Sequence, residues 1–275
     1  MTLKTALLQG VKLLEDAAIP VPRLTAEVLL AHAVHCQRSF LYAHPERELE
    51  EVEWIHYGRY LHERLQGKPT QYITRRQEFY GREFFVSPAV LIPRPETEHL
   101  VEAAVQRIPK GSRIVDVGCG SGAIAISVAL ELGTPVIGAD LSCAAIEVAR
   151  RNAQNLVASI TFVAADLLAP FAARSLDAVL SNPPYVPLGS REGLQREVRD
   201  YEPEIVLFGG STGNEIYQRI IQQALCVLKP GGLLMFELGF SSLDAVRAMV
   251  ETGFRDVGVI DDLAGIPRVL SAILR

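Results

Sequence analysis

The sequence predicts an α/β protein in which a doubly wound, parallel sheet follows a small N-terminal helical bundle. Three observations support this prediction. Apolar residues recur every three or four positions through the first 75 residues, which is the spacing of amphipathic helices. From about residue 98, short apolar runs alternate with helical segments, which is typical of a parallel sheet with helices on both faces. At 275 residues, the chain is also long enough for two domains.

Residues 1–75 are predicted to form the helical bundle. The segments 24-LTAEVLLAHAVH-35 and 51-EVEWIHYGRYLHERL-65 each carry one apolar stripe at helical spacing, and prolines separate the helices. Most of the six histidines lie in this region. His32 and His35 are close neighbours on a helix but have no third ligand, so we expect no metal site.

Residues 76–97 are predicted to form a hairpin and a linker. The aromatic stretch 78-EFYGREFFVSP-88 turns around Gly81, and the proline-rich stretch 91-LIPRPETE-98 follows it. The latter contains Arg94, Glu96 and Thr97, which either border a binding site or form a salt-bridged linker. Their position just before the sheet makes both interpretations possible.

Residues 98–275 are predicted to form the sheet domain. The predicted helices are 96–107, 122–132, 142–155, 213–228 and 241–252, and the predicted strands are 113–117, 135–139, 160–164, 177–181, 232–237, 256–261 and 267–273. A loop is expected between residues 181 and 213. Ligands of such sheets bind at the carboxyl ends of the strands, so residues that directly follow a strand are the candidates for a site.

A glycine loop, 116-DVGCGSGA-123, follows the first strand of this domain. Its glycines permit a sharp turn and close approach of a ligand, and the next helix offers free N–H groups to an anionic group. Because Ala123 can replace the last glycine of the dinucleotide-binding pattern, a nicotinamide enzyme remains an alternative. The candidate ligand contacts in this loop are Gly118, Cys119, Gly120, Ser121 and Gly122.

Acidic residues follow the next two strands. Asp140 lies 20 residues after Gly120, where a carboxylate can accept hydrogen bonds from both hydroxyls of a ribose. Asp166 is placed to accept the exocyclic amine of adenine, and the Leu167 backbone to contact the ring edge; the alternative is a cap for a short turn. Both positions indicate a nucleoside ligand, which fits either NAD or S-adenosylmethionine.

The fourth strand runs into 177-DAVLSNPPYVP-187. The amide oxygen of Asn182 and the carbonyl oxygen of Pro183 are both acceptors, and two acceptors at one point suit a planar NH₂ group. Tyr185 would pack against the flat face of that group, and Pro184 would stiffen the loop. Taken alone, the motif also fits a proline-stiffened turn. Together with the glycine loop and the acidic strand ends, it predicts a methyl acceptor site.

Asn-Pro-Pro-Tyr resembles the signature of class I methyltransferases that modify amide or amino nitrogens. From about Lys68 onward the chain resembles the glutamine N5-methyltransferases of peptide chain release factors, the PrmC or HemK family. The segments that carry this resemblance are 91-LIPRPETE-98, 116-DVGCGSGAIAI-126, 179-VLSNPPYV-186, 200-DYEPEIVLFGG-210 and 262-DLAGIPRVL-270. Cys119 departs from the Thr that many relatives carry.

The resemblance implies a Rossmann-like class I S-adenosylmethionine-dependent methyltransferase fold. It also implies S-adenosylmethionine as the cofactor, with the glycine loop around its methionine part, Asp140 at its ribose, and Asp166 with Leu167 at its adenine. Asn182 and the Pro183 carbonyl would hold the glutamine of the Gly-Gly-Gln motif in class 1 release factors, and Asn182 would also contact the cofactor. Residues 1–75 are expected to dock that protein substrate because their charges balance and they carry exposed apolar residues.

Composition narrows the alternatives. A DNA adenine-N6 methyltransferase would suit the same loop, but the net charge of −5 and the lack of a Lys/Arg run argue against direct recognition of nucleic acid. A ribosomal-protein glutamine methyltransferase and a noncatalytic binding protein of this fold are further alternatives. The four cysteines form no C-x-x-C pair, and no apolar run reaches the roughly 18 residues of a membrane span. We therefore expect a reduced, cytoplasmic protein without a metal site.

Overall fold

The computed structural model describes residues 1–275, which form two compact units. The helical unit comprises Met1–Arg75 together with Gln195–Tyr201. The sheet unit comprises Arg76–Leu194 together with Glu202–Arg275. The two units are described separately below.

The first 75 residues of the helical unit form five helices around one apolar core. Thr2 caps the first helix by accepting a hydrogen bond from the backbone N–H of Thr5 at 3.3 Å, and Glu50 and Glu53 form a capping box on the fourth. The helices are α1 (Leu3–Asp16), α2 (Pro22–Ala33), α3 (Arg38–Ala43), α4 (Glu51–Leu65) and α5 (Thr70–Thr74). Their fully buried side chains include Leu3, Leu14, Leu29, Leu30 and Tyr57.

The hairpin that follows belongs to the sheet unit and does not act as a separate linker. Its strands are β1 (Arg76–Phe79) and β2 (Arg82–Phe85), which pair antiparallel. Phe79 and Phe84 are buried in the core of the sheet unit with ring centroids 5.9 Å apart. The side-chain amide of Asn152 also forms two hydrogen bonds with the backbone of Phe85. Its oxygen accepts from the N–H at 2.7 Å, and its NH₂ group donates to the carbonyl oxygen at 2.9 Å. These contacts explain why the hairpin packs with the sheet.

The central sheet has seven strands and is mostly parallel. Its strands are β3 (Ile114–Val117), β4 (Val136–Asp140), β5 (Ile160–Ala164), β6 (Leu176–Ser181), β9 (Leu228–Glu237), β10 (Phe254–Asp261) and β11 (Pro267–Leu274), in the order β10-β11-β9-β6-β3-β4-β5. The sequence predicts parallel strands throughout, whereas β11 runs antiparallel to both β9 and β10. The short connection between β10 and β11 requires this, because a parallel pair needs a long crossover.

Helices cover both faces of the sheet. On one face, α6 (Glu98–Arg107), α7 (Ala123–Leu132) and α8 (Cys143–Asn155) contribute to an apolar core with Ile114 and Met235. On the other face, α11 (Glu215–Val227) and α12 (Leu243–Glu251) pack over Val115 and Phe236. Successive residues of a strand point to opposite faces, which is why neighbouring residues of β3 enter different cores.

The sequence predicts a loop between residues 181 and 213, but this segment contains several short elements. They are β7 (Val186–Pro187), a 3₁₀ turn (Leu188–Gly193), α9 (Arg196–Tyr201), α10 (Glu204–Leu207) and β8 (Phe208–Gly210), with β7 and β8 paired in parallel. None of them exceeds six residues, so none is long enough to produce a recognisable apolar period.

The short helix α9 is part of the helical unit although it lies within the sequence of the sheet unit. Glu197 forms a salt bridge of 2.8 Å with Arg64, whose side chain is buried. The Tyr201 hydroxyl donates a hydrogen bond to the backbone oxygen of Gln66 at 3.1 Å. Residues 98–275 therefore do not form one continuous structural unit. No helix in the structure combines the length and the apolar composition needed to cross a membrane.

Candidate active site

A cavity of about 170 Å³ opens at the carboxyl ends of the parallel strands. The candidate residues from the sequence that line it are Gly118, Cys119, Gly120, Ser121, Asp140, Asp166, Leu167, Asn182 and Pro184. Apolar side chains that the sequence did not single out complete its wall: Leu91, Ile124, Leu141, Ile205, Val206 and Ile216. Three candidate residues, Gly122, Pro183 and Tyr185, do not line this cavity.

The glycine loop turns sharply between β3 and α7. The backbone N–H groups of Gly118 and Cys119 both donate to the Ala139 carbonyl, at 2.8 and 3.0 Å, which ties the loop to the end of β4. Gly118 has a φ of +73° and open space where a Cβ would lie, so its backbone is accessible to a ligand. A Cβ on Gly122 would come within 2.9 Å of Ile126, so this glycine serves helix packing instead.

Asp140 is fixed at the end of β4. Its two carboxylate oxygens accept hydrogen bonds from the backbone N–H of Gly120 at 2.9 Å and of Ser142 at 2.8 Å. Each oxygen retains a further lone pair for a ligand hydroxyl. Cys119 lies beside it, and burial raises the pKa of its thiol well above its usual value. The thiol therefore stays protonated at neutral pH and acts as a small packing group.

Asp166 and Leu167 form the far wall of the cavity. The Asp166 carboxylate accepts a hydrogen bond from Arg219 at 2.7 Å, and both side chains are partly exposed. Leu167 adopts the left-handed region with a φ of +55°, which is unfavourable for a branched side chain. Gln223 stabilises this turn by accepting the backbone N–H of Leu168 at 2.7 Å.

Asn182 reaches the cavity from the end of β6. The hydroxyl of Ser181, the last residue of that strand, donates to the Val117 carbonyl at 2.7 Å and fixes the strand end. The Asn182 side-chain NH₂ donates to the Thr97 hydroxyl oxygen at 3.2 Å. This bond leaves the amide oxygen of Asn182 as the group that is available to accept from a ligand.

Tyr185 lies outside the cavity and packs over the backbone of the next strand end. A Cβ on Gly239 would come within 2.8 Å of its ring, so only glycine permits this contact. Burial raises the pKa of Tyr185 to about 12. The phenol is therefore neutral at physiological pH. Pro183 is buried.

Two buried carboxyl groups near the site were not found from the sequence. Burial raises the pKa of Asp116 to about 7, against an opposing hydrogen bond from the backbone N–H of Ala125 at 3.0 Å. Glu237 ends β9 with 2% exposure, and burial raises its pKa to about 7. The sequence contains a feature that could have identified Glu237, because this acidic residue lies at the end of the apolar stretch 232-GLLMFEL-238.

The sequence left Arg94 and Thr97, which precede α6, undecided between a binding site and a salt-bridged linker. The structure shows one of these residues in each role. Thr97 lines the cavity and contacts Asn182. Arg94 instead forms a salt bridge with the buried carboxylate of Glu202. No group of three or more His, Cys, Asp or Glu side chains is arranged to bind a metal ion.

Two family matches cover most of the chain outside its C-terminal part. Residues 5–74 match the PrmC N-terminal domain, and residues 95–195 match the methyltransferase small domain. The first match coincides with helices α1–α5, and the second includes the glycine loop and Asn182.

Solved structures agree with this assignment at the level of the fold. A methyltransferase from Pyrococcus furiosus aligns with a TM-score of 0.55 and 17% identity, covering 71% of this chain and 90% of its own. A 16S rRNA methyltransferase of T. thermophilus, solved in complex with AdoMet and guanosine, aligns with a TM-score of 0.55 and 19% identity, covering 73% of this chain and 50% of its own. The predicted class I methyltransferase fold is thereby confirmed.

Relatives at higher identity extend over nearly the whole chain. The release factor glutamine methyltransferase of Koribacter versatilis is 45% identical over 276 residues, which cover 98% of each chain. The proteins of the same name from Chlorobaculum tepidum and Geobacter sulfurreducens are 43% and 39% identical, covering 94% of this chain and 92% and 91% of their own. The chain therefore belongs to the release factor glutamine methyltransferases, a family of methyl-transferring enzymes.

Proposed function

We propose that this protein transfers a methyl group from S-adenosylmethionine to the side-chain amide nitrogen (N5) of the glutamine in the Gly-Gly-Gln motif of class 1 peptide chain release factors. The observation that carries the proposal is the orientation of Asn182. Its NH₂ group is bound to Thr97, so its amide oxygen is left to accept from a substrate NH₂ group at the edge of the cavity. The identity of the chain with its named relatives supports the choice of substrate.

The residues of the cavity fit S-adenosylmethionine. When bound, this cofactor supplies a methyl group that its sulfonium sulfur makes electrophilic. Gly118 and Gly120 would hold its methionine part, because the backbone of Gly118 is open to the cavity. Asp140 would bind its ribose hydroxyls, and Asp166 with Leu167 would hold its adenine between apolar walls.

Asn182 and Pro183 would position the substrate amide. An amide nitrogen is a poor nucleophile because its lone pair is delocalised into the carbonyl. Hydrogen bonds from both amide hydrogens to the Asn182 side-chain oxygen and the Pro183 carbonyl oxygen would orient the nitrogen and strengthen as positive charge develops on it. Positioning of this kind contributes up to roughly 7–11 kcal/mol in well-oriented systems. Tyr185 would pack on the flat face of the amide.

The mechanism assigns no general base. The pKa values of the Cys119 thiol and the Tyr185 phenol are raised by burial, so neither group is ionised at neutral pH. An N-methylated amide cation is itself strongly acidic and releases its proton to water after transfer. The catalytic contribution of the chain is therefore geometric and electrostatic.

The helical unit is proposed to dock the release factor. It carries several large apolar side chains that are exposed, among them Leu8, Leu13, Val52 and Ile55. Val52 and Ile55 lie three residues apart on α4 and so share one face of that helix. Exposed apolar residues that adjoin one another mark protein-binding surfaces. The match of residues 5–74 to the PrmC N-terminal domain supports this assignment of the unit to the same family.

Mass spectrometry of a purified class 1 release factor tests the proposed function. After incubation with this protein and S-adenosylmethionine, we expect one added methyl group, mapped by peptide sequencing to the Gly-Gly-Gln glutamine. A release factor in which that glutamine is replaced by glutamate should gain none. Ribosomal proteins and double-stranded DNA are assayed in parallel. Methylation of either one, with the release factor unmodified, would contradict the proposal.

Gly209 offers a separate test of the Asn-Pro-Pro-Tyr loop. A Cβ at this position would lie 2.4 Å from the Pro184 carbonyl oxygen and 2.7 Å from that of Gly213, both backbone atoms. Gly209→Ala is therefore expected to displace the loop and lower kcat by about 100-fold, since displacements near 1 Å have effects of this size. Steady-state methylation of the release factor measures the change.

Gly189→Ala is the matched control for this substitution. Gly189 lies in the same segment, and a Cβ there would meet no atom within 4 Å. We expect its kcat to stay within twofold of wild type. Equal rates for Gly209→Ala and wild type would show that the position of the loop does not determine the rate.

A further inference from the structure

Two turns of the sheet unit lie side by side at the edge of the sheet that carries the cavity. One turn, residues 239–242, follows β9, and the other, residues 262–266, joins β10 to β11. Strand β9 runs parallel to β6, so its end lies at the same edge as Asn182. The backbone N–H of Leu238 donates to the Arg268 carbonyl at 2.8 Å, so β9 and β11 stay paired up to both turns. Because paired strands lie about 4.8 Å apart, the two turns adjoin each other.

Each turn presents one large apolar side chain to solvent. Phe240 is 81% exposed, and Leu263 is fully exposed. Neither residue lines the cavity. Single apolar residues on a protein surface are ordinary, but these two belong to adjoining turns next to a candidate active site. We call the two residues together the edge surface.

Hydrogen bonds fix the turn that carries Leu263. One oxygen of the Asp262 carboxylate accepts from the backbone N–H groups of Ala264 at 2.8 Å and Ile266 at 2.9 Å. The other oxygen accepts from the Arg268 guanidinium at 2.8 Å. These bonds hold the pKa of Asp262 below its ordinary value, so the carboxylate is charged at neutral pH. A turn that is already ordered loses little conformational freedom when a partner covers it, which favours binding.

The turn that carries Phe240 contacts the Asn-Pro-Pro-Tyr loop. The hydroxyl of the buried Tyr217 accepts from the Gly239 N–H at 3.2 Å and donates to the Glu237 carbonyl at 2.7 Å, which fixes the backbone here. The ring of Tyr185 lies against Gly239, since a Cβ at that position would come within 2.8 Å of it. Phe240 is the next residue, and consecutive Cα atoms are about 3.8 Å apart. The edge surface therefore begins one residue from the loop that is proposed to hold the substrate amide.

The charges around the edge surface favour a protein over a nucleic acid as its partner. Asp261 is exposed beside one turn, and Asp244 is exposed two residues after the other. Arg268, the cation within the surface, is engaged by Asp262 at 2.8 Å. Carboxylates at the rim repel a phosphate backbone, whereas apolar side chains with a polar rim are typical of protein interfaces.

We propose that Phe240 and Leu263 bind the segment of the release factor that adjoins its Gly-Gly-Gln motif. The inference rests on the proposed function, in which the glutamine of that motif enters the site. Its neighbours in the protein chain then leave across the mouth of the cavity. At about 3.3 Å per extended residue, they reach the edge surface within a few residues. Because the surface is apolar, the segment that covers it carries apolar side chains.

Alanine substitutions test the edge surface. We expect Phe240→Ala and Leu263→Ala each to raise the KM for the release factor by about 5- to 20-fold, because each removes apolar area that the complex buries. The kcat and the Kd for S-adenosylmethionine should stay within about twofold of wild type, since neither residue lines the cavity. Leu263→Met keeps a large apolar side chain and should retain a KM within about twofold of wild type.

Val157→Ala is the matched control for these substitutions. Val157 is 87% exposed, but it precedes β5 and so lies at the opposite edge of the sheet. Its replacement should leave the KM for the release factor unchanged within about twofold. Thermal unfolding of the variants checks that they fold, and we expect transitions close to that of wild type because all three side chains are exposed.

Photocrosslinking reports the contact directly. The amino acid p-benzoylphenylalanine replaces Leu263 in one variant and Val157 in another, and each is irradiated with purified release factor and S-adenosylhomocysteine. We expect crosslinks from position 263 to residues adjoining the Gly-Gly-Gln motif, and none from position 157. If both alanine variants kept the wild-type KM, or if position 263 gave no such crosslinks, the inference would be wrong while the proposed function stood. A wild type that leaves the release factor unmodified would overturn both.

Discussion

Asn182→Ala is expected to lower the rate of methyl transfer by about 100- to 1,000-fold, the usual effect of removing one preorganised hydrogen-bonding group that acts on the transition state. The substitution removes the side-chain oxygen that would accept the substrate N–H. It leaves the glycine loop and Asp140 unchanged, and these groups account for most of the proposed cofactor contacts. We therefore expect the Kd for S-adenosylmethionine to remain within a few-fold of wild type.

Single-turnover methylation and calorimetric titration measure the two quantities separately. Asn155→Ala is the matched control, because Asn155 is exposed at the end of α8 and lies outside the cavity wall. It should retain the wild-type rate. The assigned role of Asn182 would be wrong if its alanine variant lost cofactor binding while the bound complex still reacted at the normal rate.

Glu237→Gln is expected to raise the free energy of unfolding above that of wild type, and this gain should be about 3 kcal/mol larger at pH 8 than at pH 5. Burial raises the pKa of Glu237 from 4.5 to about 7 in the folded protein. The folded state thus holds this proton more tightly than the unfolded chain, so the carboxyl lowers the free energy of unfolding progressively between about pH 4.5 and 7, and fully above that range. Each pKa unit corresponds to about 1.4 kcal/mol.

Urea unfolding at pH 5 and pH 8 measures this difference. Comparing the two pH values cancels any constant effect of placing an amide in the core. Glu251→Gln serves as the control, because Glu251 is exposed at the end of α12 and its replacement should change stability little at either pH. If the difference in the free energy of unfolding between Glu237→Gln and wild type were the same at both pH values, folding would not raise the pKa of Glu237.

The parts of the site that the sequence predicted directly follow strands. The glycine loop, Asp140 and Asn182 lie within a few residues of the end of β3, β4 and β6. In a parallel sheet these ends share one edge, so local patterns suffice to bring the residues together. The cavity wall contains all three elements, as this reasoning requires.

Relationships that depend on tertiary packing could not be predicted in this way. Thr97 and Asn182 are 85 residues apart, and the sequence left Thr97 undecided between a site residue and a linker residue. Glu237 was missed because an acidic residue after an apolar strand fits a solvated turn equally well. Tyr185 and Pro183 were expected at the same point as Asn182, but neither lines the cavity, and their contacts with a substrate stay predictions.

The helical unit and the sheet unit are interleaved along the polypeptide, because α9 supplies Gln195–Tyr201 to the former from within the latter. No single cut in the chain releases either unit intact. A fragment that ends at residue 75 would leave the buried Arg64 without Glu197, and one that begins at residue 76 would carry α9 without the helices it packs against. Exchange of the helical unit between relatives should therefore succeed only when residues 195–201 are transferred together with residues 1–75.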